Sequence, residues 1–555
     1  MKITIDGKEH EVDEKKRILQ ICEDIGIEVP TLCYHKDLFP ESRCRICLVQ
    51  KDGKLVTSCS TYPTEGCSII TKNEKVKKAR ERNLELMQPS APVCGPEDDF
   101  EICKIYKEVG LPQTRFENIK DYPQDLGASV IRDDNLCINC GRCVQTCGEI
   151  QNVYAIDFMT RAHSEHVSPY NNKNLSEVAC IKCGQCIMNC PVGAIRESPH
   201  IEEVEKALAD PKKHVVAQTA PSIRAALGEL FDMEPGTLVT GKMVTSLRKC
   251  GFDKVFDVDL GADLTIMEEA SEFLHRVKTG GTLPMITTCC PGWILMMEHF
   301  HHDLLPNMST CKSPHEMLGM LIKTYYSEKS GIPAKDIVVV SIMPCTAKKY
   351  ESQRPELDSA VDYVLTTREL GRLIKRKKID FVKLSDDEFD TPLGISTGAG
   401  AVFGASGGVM EAALRTAYEF ATGKGVEKLE FDQIRGTKGI KDGKIIINGK
   451  EIRFAVASGG ANIKKLLAKK DQYHFIEMMA CPGGCIGGGG QPIYTDPEVL
   501  QKRAMAIYQE DAGKPLRKSH ENPIIKELYE KYLDKPLSEK SHKLLHTKYH
   551  LRGKF

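Results

Sequence analysis

The sequence predicts a multidomain α/β protein, with small cysteine-rich modules ahead of one large α/β domain. Three observations carry this. At 555 residues the chain exceeds what a single hydrophobic core holds. Its 23 cysteines are unevenly spread, 16 of them before position 191. From about residue 206 cysteines thin out and short apolar runs alternate with amphipathic stretches, the texture of an α/β domain. With 76 basic and 77 acidic residues there is no net field to draw nucleic acid or another polyanion. No apolar run approaches the length of a membrane span. The opening "MKITIDGKEHEVDEKK" lacks the layout of a signal peptide, so a cytoplasmic protein is expected. In that compartment thiols stay reduced, and this many of them read as metal ligands rather than as a disulfide framework.

Taken in order, "ITIDGKEHEV" alternates about Asp6-Gly7 and reads as a hairpin, and "KKRILQICEDIG" as a short helix stopping at Gly26. Cys33, Cys44, Cys47 and Cys59 follow, a C-x2-C pair flanked by single cysteines about eleven residues to either side. That spacing suits a [2Fe-2S] cluster held by a loop, with a zinc ribbon as the alternative. Cys22 and Cys67 fall outside it and are expected to be buried thiols. Residues 74–88 form a charged helix. Cys94 and Cys103 come next without enough partners for a four-ligand site, and are expected to be structural thiols.

"CINCGRCVQTC" supplies Cys137, Cys140, Cys143 and Cys147, and "CIKCGQCIMNCP" supplies Cys180, Cys183, Cys186 and Cys190. Both runs are C-x2-C-x2-C-x3-C. Their repetition is the internal duplication of a two-[4Fe-4S] ferredoxin, in which the fourth cysteine of each run ligates the other cluster; zinc is again the alternative. The chain up to this point is an electron relay.

Three apolar runs of the large domain end on cysteine: "TLPMITT" at Cys289 and Cys290, "DIVVVSIMP" at Cys345, "YHFIEMMA" at Cys481. As parallel strands they would bring these thiols to one edge of a sheet, where α/β folds place their sites, and the turn "CPGGCIGGGG" adds Cys485. "TIMEEASEFLHRV" (265–277) predicts a helix with Glu269, Glu272 and Arg276 on one face. By itself that stripe reads as a solvated face with a Glu–Arg pair worth ~0.3 kcal/mol. "EHFHHD", with His299, His301 and His302, reads as an exposed helix end. "GAGAVFG" lacks the strand and downstream acid of a nicotinamide site.

"TTCCPGW" (287–293), "MPCTAKKYE" (343–351) and "EMMACPGGCIGGGGQP" (477–492) resemble, in order, the signature motifs of the [FeFe]-hydrogenases. "AQTAPSIR" and "GISTGAGAVFGASGGVMEAALRTAYE" are also similar to that family. The tail, from "RAMAIYQEDAGKPLRKSHENP" to "SEKSHKLLHTKYHLR", resembles its small-subunit region, here fused to the large one. The resemblance implies a β-grasp, plant-type [2Fe-2S] domain over 1–78, a degenerate cluster segment over 79–125 and a 2[4Fe-4S] ferredoxin domain over 126–205. It further implies a two-lobed α/β hydrogenase domain over 206–492, with its cluster between the lobes, and the small-subunit-like region over 493–555.

The cofactors implied are one [2Fe-2S], two [4Fe-4S] and an H-cluster, a [4Fe-4S] cubane joined to a two-iron centre bearing CO, cyanide and an azadithiolate. Cys290, Cys345, Cys481 and Cys485 would hold the H-cluster cubane. The glycines at 483, 484 and 487–490 are expected to clear room for that inorganic group. Cys289 would exchange protons with the bridging amine, near an ordinary thiol pKa of ~8.5. Lys348 would face a cyanide. Arg276, Glu272, Ser309 and Glu269 would relay protons to Cys289, and Ala220, Pro221, Ser222, Met343, Phe403 and Met479 would line the pocket.

The implied reaction is 2H⁺ + 2e⁻ ⇌ H2. The implied partners are ferredoxin or iron–sulfur, NAD- or formate-linked subunits, within a larger soluble complex, together with cluster maturation enzymes. A non-catalytic iron–sulfur electron carrier or a hydrogen sensor is the alternative; Cys289, Lys348, Glu269 and the full glycine turn occurring together weigh against it. Two positions depart from the family pattern. Ser90 and Glu97 stand where a further cubane would take a His and a Cys, so that cluster is expected to be absent, and Thr288 replaces the usual Ser beside Cys289.

Overall fold

Asp6 and Gly7 both take positive φ (48° and 82°), as a two-residue turn between twisted strands requires, so β1 (Lys2–Ile5) folds straight back onto β2 (Lys8–Glu11). With β3 (Leu48–Lys51), β4 (Lys54–Thr57) and β5 (Ser68–Ile70) they form a sheet in the order β2-β1-β5-β3-β4. Helix α1 (Ile18–Asp24) packs Ile18, Ile21 and Cys22 onto Ile3, Ile5, Cys67 and Ile69, so Cys22 and Cys67 are the core thiols expected. The computed structural model describes all residues except 92–93, 96–99, 111–113, 119, 161–164, 494 and 554–555.

Helix α2 (Glu74–Met87) starts at an Asn73 side chain accepting from the Val76 amide, and its buried Arg80 donates to Leu48 O and Thr71 O of the sheet. Helix α3 (Glu101–Val109) follows. Here one expectation is corrected: Cys94 and Cys103 are joined as a disulfide. Helix α3 turns Cys103 onto the same apolar core that Cys94 packs against, which brings their Cα atoms to 5.8 Å. Ser90 is half-buried just past α2, and Glu97 lies outside the described residues.

The duplicated segment contains β6 (Asp125–Leu126), β7 (Val130–Arg132), β8 (Asp157–Met159), β9 (His166–Ser168) and β10 (Ile195–Glu197). Its short helices α4 (Arg142–Gln145) and α5 (Gln185–Met188) each begin after a left-handed glycine, Gly141 and Gly184, at matching places in the two cysteine runs. The repeat is therefore visible in backbone geometry as well as in spacing.

Beyond α6 (Ile201–Ala209) the large domain has two sheets. One is all parallel, in the order β12-β11-β14-β15, from β11 (His214–Thr219), β12 (Lys254–Asp257), β14 (Ile337–Met343) and β15 (Tyr363–Thr366). All seven residues of β14 are buried, as expected for a parallel strand covered on both faces. The other runs β13-β18-β17-β16, from β13 (Met285–Ile286), β16 (Ile440–Ile447), β17 (Lys450–Ser458) and β18 (Phe475–Met479). The expectation of one shared sheet edge is thus corrected: β14 belongs to the first sheet, β13 and β18 to the second.

Between β12 and β13 runs α8 (Val258–Thr279), after α7 (Thr240–Cys250). It is buried from Val258 to Ala270 and again at Glu272 and Phe273, so its acidic stripe is not a solvated face. Helices α9 (Pro291–Phe300) and α10 (Pro314–Leu321) follow β13. The histidines at the end of α9 are only in part the exposed end expected: His302 is exposed and bonds Glu298 O at 2.8 Å, whereas His299 is buried and bonds Gly553 O at 2.7 Å. Among the described residues no helix is long and apolar enough to cross a membrane.

Candidate active site

The carboxyl ends of β13, β14 and β18 deliver Cys289, Cys290, Cys345 and Cys481 to one cavity, and the following turn delivers Cys485. Both sheets contribute, so thiols nearly two hundred positions apart meet between two lobes. Ala220 and Pro221, just past β11, line the same space with Met343, Phe403, Met479 and Lys348. Ser222 does not line it. Its hydroxyl donates to Cys485 O at 3.5 Å and receives the Gln491 amide at 3.3 Å, bracing the turn from behind. Sequence reasoning missed His315, which lines the cavity from the start of α10, and Gln491; neither belongs to a spacing pattern that could have exposed it.

Gly484 and Gly488 line the cavity, and the turn's glycines also answer to the protein's own backbone. A Cβ at Gly488 would lie 2.2 Å from Pro344 O, and one at Gly489 would lie 2.2 Å from Cys183 O. The turn is stripped because the protein's own backbone packs against it, chiefly from the β14 loop and the second ferredoxin run. Gly484 is held at φ +87°, which a side chain would strain.

Apart from sulfur, Lys348 and His315, the lining is apolar. Burial pushes all five thiols up, Cys345 to about 12 and Cys289 well above its ordinary value. The expectation of ordinary acidity for Cys289 is therefore corrected: its surroundings hold it as a thiol. Four such ligands become thiolates only against the positive charge of a metal, and soft sulfur donors in a dry pocket fit an iron–sulfur group. The Ala480 amide already points at Cys290 Sγ, at 3.3 Å.

Lys348 Nζ donates to Cys289 O at 3.1 Å and to Glu351 Oε2 at 2.7 Å. Burial opposes its charge, but Glu351, Cys345 and Cys289 together raise its pKa. Glu351 also takes His315 Nε2 at 2.6 Å, and Ser341 Oγ holds the other ring nitrogen at 3.1 Å. A fixed ammonium thus faces the cavity.

On α8, Arg276 Nη2 donates to Glu272 Oε1 at 2.6 Å, and Ser309 Oγ donates to Glu272 Oε2 at 3.2 Å. Ser309 and the Thr288 amide are the polar neighbours of Glu269, whose charge in turn is felt at Cys289. Glu269 is fully buried, and burial pushes its pKa up to about 8. Half-buried Arg276, Glu272 and Ser309 are thus joined by hydrogen bonds, with the buried Glu269 between them and the cavity thiol.

The relay modules are equally ordered. One small cavity is lined by Cys147, Cys180, Cys183 and Cys186, and another by Cys137, Cys140, Cys143 and Cys190. Each run lends its fourth cysteine to the other's cavity, as a two-cubane ferredoxin requires. In the first domain Cys33, Cys44, Cys47 and Cys59 are all buried free thiols near enough to perturb one another's acidity, which suits a binuclear centre. The second run abuts the active-site turn: Gln185 Nε2 donates to Gly487 O at 2.9 Å, Thr346 Oγ1 to Lys182 O at 2.8 Å, and Cys183 lies close enough to Cys481 to raise its pKa. Arg368 locks the junction, donating to Glu197, Gly489 O and Gln491 O.

Comparison with known proteins agrees with this arrangement. The pattern of the iron-only hydrogenase large subunit, C-terminal domain, matches residues 213–489, and that of the iron hydrogenase small subunit matches 497–552. A 2Fe-2S cluster-binding domain matches 1–74 and a 4Fe-4S dicluster domain 136–194. The chain is 47% identical to the NADP-reducing hydrogenase subunit HndD of Solidesulfovibrio fructosivorans, over 99% of both chains. It is 41% identical to iron hydrogenase 1 of Clostridium pasteurianum, again over 99% of both. Among solved structures, an apo form of the [FeFe]-hydrogenase HydA1 from Chlamydomonas reinhardtii is 44% identical, with a TM-score of 0.58, covering 64% of this chain and 99% of that one. The chain belongs to the iron-only, or [FeFe], hydrogenase family and is an oxidoreductase that interconverts protons, electrons and H2, with [2Fe-2S] and [4Fe-4S] clusters as its electron relay.

Proposed function

We propose that this chain is the hydrogen-activating subunit of a larger complex that couples H2 to a nicotinamide nucleotide pool through partner subunits. The observation that carries this is the 47% identity over 99% of both chains to a protein named as a subunit of an NADP-reducing hydrogenase. The Gly398–Ala401 helix supports it from the other direction. Its glycines are taken up by packing against Asp259 and Asp511, which accounts for them without a nucleotide. The alternative partner, a ferredoxin alone, remains the simpler form of the same relay. A cytoplasmic setting belongs to this reading, as do maturation enzymes that install the cofactor.

Within the site, Cys290, Cys345, Cys481 and Cys485 would hold the H-cluster. When bound, that group supplies the redox and hydrogen-activating chemistry of 2H⁺ + 2e⁻ ⇌ H2. Cys289 gives or takes the proton at its Sγ. Glu269, Ser309, Glu272 and Arg276 carry protons between that thiol and water, and a Glu269 poised near neutrality suits transfer in both directions. Lys348, fixed by Glu351, would present its ammonium to an anionic ligand of the cofactor. Met343, Phe403, Met479, Ala220 and Pro221 keep the cavity dry, which strengthens each of these interactions. Cys147, Cys180, Cys183 and Cys186 would hold the cubane nearest the site, which would supply one-electron transfer there.

Purification of the chain from its native host tests the proposal. Iron–sulfur or nucleotide-binding subunits should co-purify, and H2-dependent NADP⁺ reduction should require them while viologen reduction does not. A chain that purifies alone and reduces ferredoxin at its full rate would overturn the larger complex.

A further inference from the structure

The carboxylate in the middle of the proton line has more neighbours than a route from Arg276 needs. Glu272 Oε2 receives Ser309 Oγ on the cavity side, and it also receives Thr310, whose amide lies at 3.2 Å and whose hydroxyl lies at 3.4 Å. Thr310 Oγ1 in turn meets His546 Nδ1 at 2.7 Å, and His546 Nε2 meets Glu268 Oε2 at 3.1 Å. The imidazole therefore spans two acids of α8, Glu268 directly and Glu272 through one hydroxyl.

Its position is fixed by backbone. Lys312 N–H donates to Leu545 O, Thr547 N–H donates to Thr310 O, and Cys311 and His546 face each other in an antiparallel bridge. The ring is buried, whereas Thr310 and His542 are exposed. His542 lies one helical turn before it, at the end of the helix Glu539–Leu545, with ring centroids 4.4 Å apart. Glu268 does not need this histidine to be satisfied, because Tyr529 OH at 2.6 Å and the Leu537 amide at 2.8 Å already hold it. A residue that only pinned the tail would use one nitrogen. This one uses both, and the second leads to the relay.

We propose that Thr310, His546 and His542 form a second proton port, supplied by the C-terminal region, which joins the relay at Glu272 in parallel with Arg276. The inference rests on the Glu272–Ser309–Glu269–Cys289 relay proposed above. On the inward path the imidazolium Nδ1–H bond breaks as a Thr310 Oγ1–H bond forms. The hydroxyl's own proton passes to Glu272 Oε2, the ring keeps its Nε2–H bond toward Glu268, and once the Thr310 hydroxyl has turned to Glu272, Nδ1 takes its next proton from water at the His542 mouth; the outward path is the reverse. Glu268 offsets the imidazolium charge from the Nε2 side. The titratable and charged groups around His546 are Glu268 and Glu272 of α8, Cys311, Tyr529 and His542, with Arg276 beyond Glu272. Histidine suits this position because one ring nitrogen can keep a proton while the other passes one on.

The test compares full-length R276L, H546A, the R276L/H546A double variant and E272A. One readout is the pH profile of H2 production. The other is hydrogen–deuterium exchange of the Cys289 S–H stretch, followed by infrared in protein carrying its iron–sulfur clusters but no two-iron unit, and assigned by its loss in C289A. R276L and H546A should each slow exchange about 2- to 10-fold, and the double variant roughly 100-fold or more, to the level of E272A. Imidazole in the buffer should restore exchange in the double variant and reshape its pH profile, which a purely structural histidine would not allow. If H546A fails to fold, H546Q with the same exchange assay takes its place. A double variant no slower than R276L, or one that imidazole does not rescue, overturns the port while leaving the relay intact. An E272A protein exchanging at the wild-type rate overturns the relay itself.

Discussion

The active-site cavity has an electron wall and a proton wall, and they are built on different principles. The electron wall is backbone against backbone: Gly489 lies on Cys183, Gln185 bonds Gly487 O, and Arg368 threads three acceptors across the joint. Its ligands come in close sequence clusters, the C-x2-C-x2-C-x3-C runs of a two-cubane ferredoxin. The proton wall is a file of single side chains: Arg276 and Glu272 on α8 and Ser309 after α9 are joined by hydrogen bonds, and the buried Glu269 stands between Ser309 and Cys289. Electrons tolerate gaps between centres, so the first wall needs only proximity. Protons move by bond-length steps, so the second needs every member at the right atom.

That contrast can be broken most sharply on the proton wall. Glu269→Gln keeps the volume and removes the acid, and should cut turnover in both directions by about 10²- to 10⁴-fold while the iron–sulfur EPR signals stay unchanged. A smaller loss, or altered cluster signals, would mean that Glu269 shapes the site rather than conducting. The next effect is on pH. Burial raises Glu269 to about 8, so it carries a proton below that value and loses it above. H2 production should therefore fall up to roughly tenfold per pH unit past 8, while H2 uptake, which needs the base form, should not fall there. Parallel declines in both directions would assign the limit elsewhere.

The electron wall should answer to bulk instead of charge. Gly489→Ala places a methyl against Cys183 O and should cost about 1–3 kcal/mol of stability through overpacking. Reduction by a protein donor should slow several-fold, with Cys289 S–H exchange untouched; slowed exchange would show that the two walls are not separate. The smallest effect is expected at the Cys94–Cys103 disulfide. The C94S/C103S variant should keep the same three cubane signals as the parent, counting the active-site cubane. A fourth cubane signal in the parent that this variant loses would restore a cluster to segment 79–125.

How much of this was legible in the sequence follows the same division. Spacing exposed the ferredoxin runs, down to the exchange of Cys147 and Cys190 between cavities, because loop-held clusters impose a period on the chain. Apolar runs ending on cysteine exposed the site but not its construction, since nothing local distinguishes strands of one sheet from strands of two facing sheets. The acidic stripe of α8 read as solvated because a helical period does not say what covers it; the covering includes Pro314 and Leu318 against Gly261, far along the chain. Ser222, His315 and Gln491 were misjudged or missed for that reason too, as their partners lie on other elements. The Cys94–Cys103 pairing ran against an argument from compartment, which speaks to averages and not to two cysteines that a helix brings together.

The central claim is that Cys290, Cys345, Cys481 and Cys485 close one cavity around an H-cluster. The infrared spectrum of the matured protein tests it most directly. Bands of iron-bound CO and cyanide should be present in the parent chain and lost in C345S and C485S. A fully matured parent without those bands, or a C345S protein that retains them at full strength, would contradict the account.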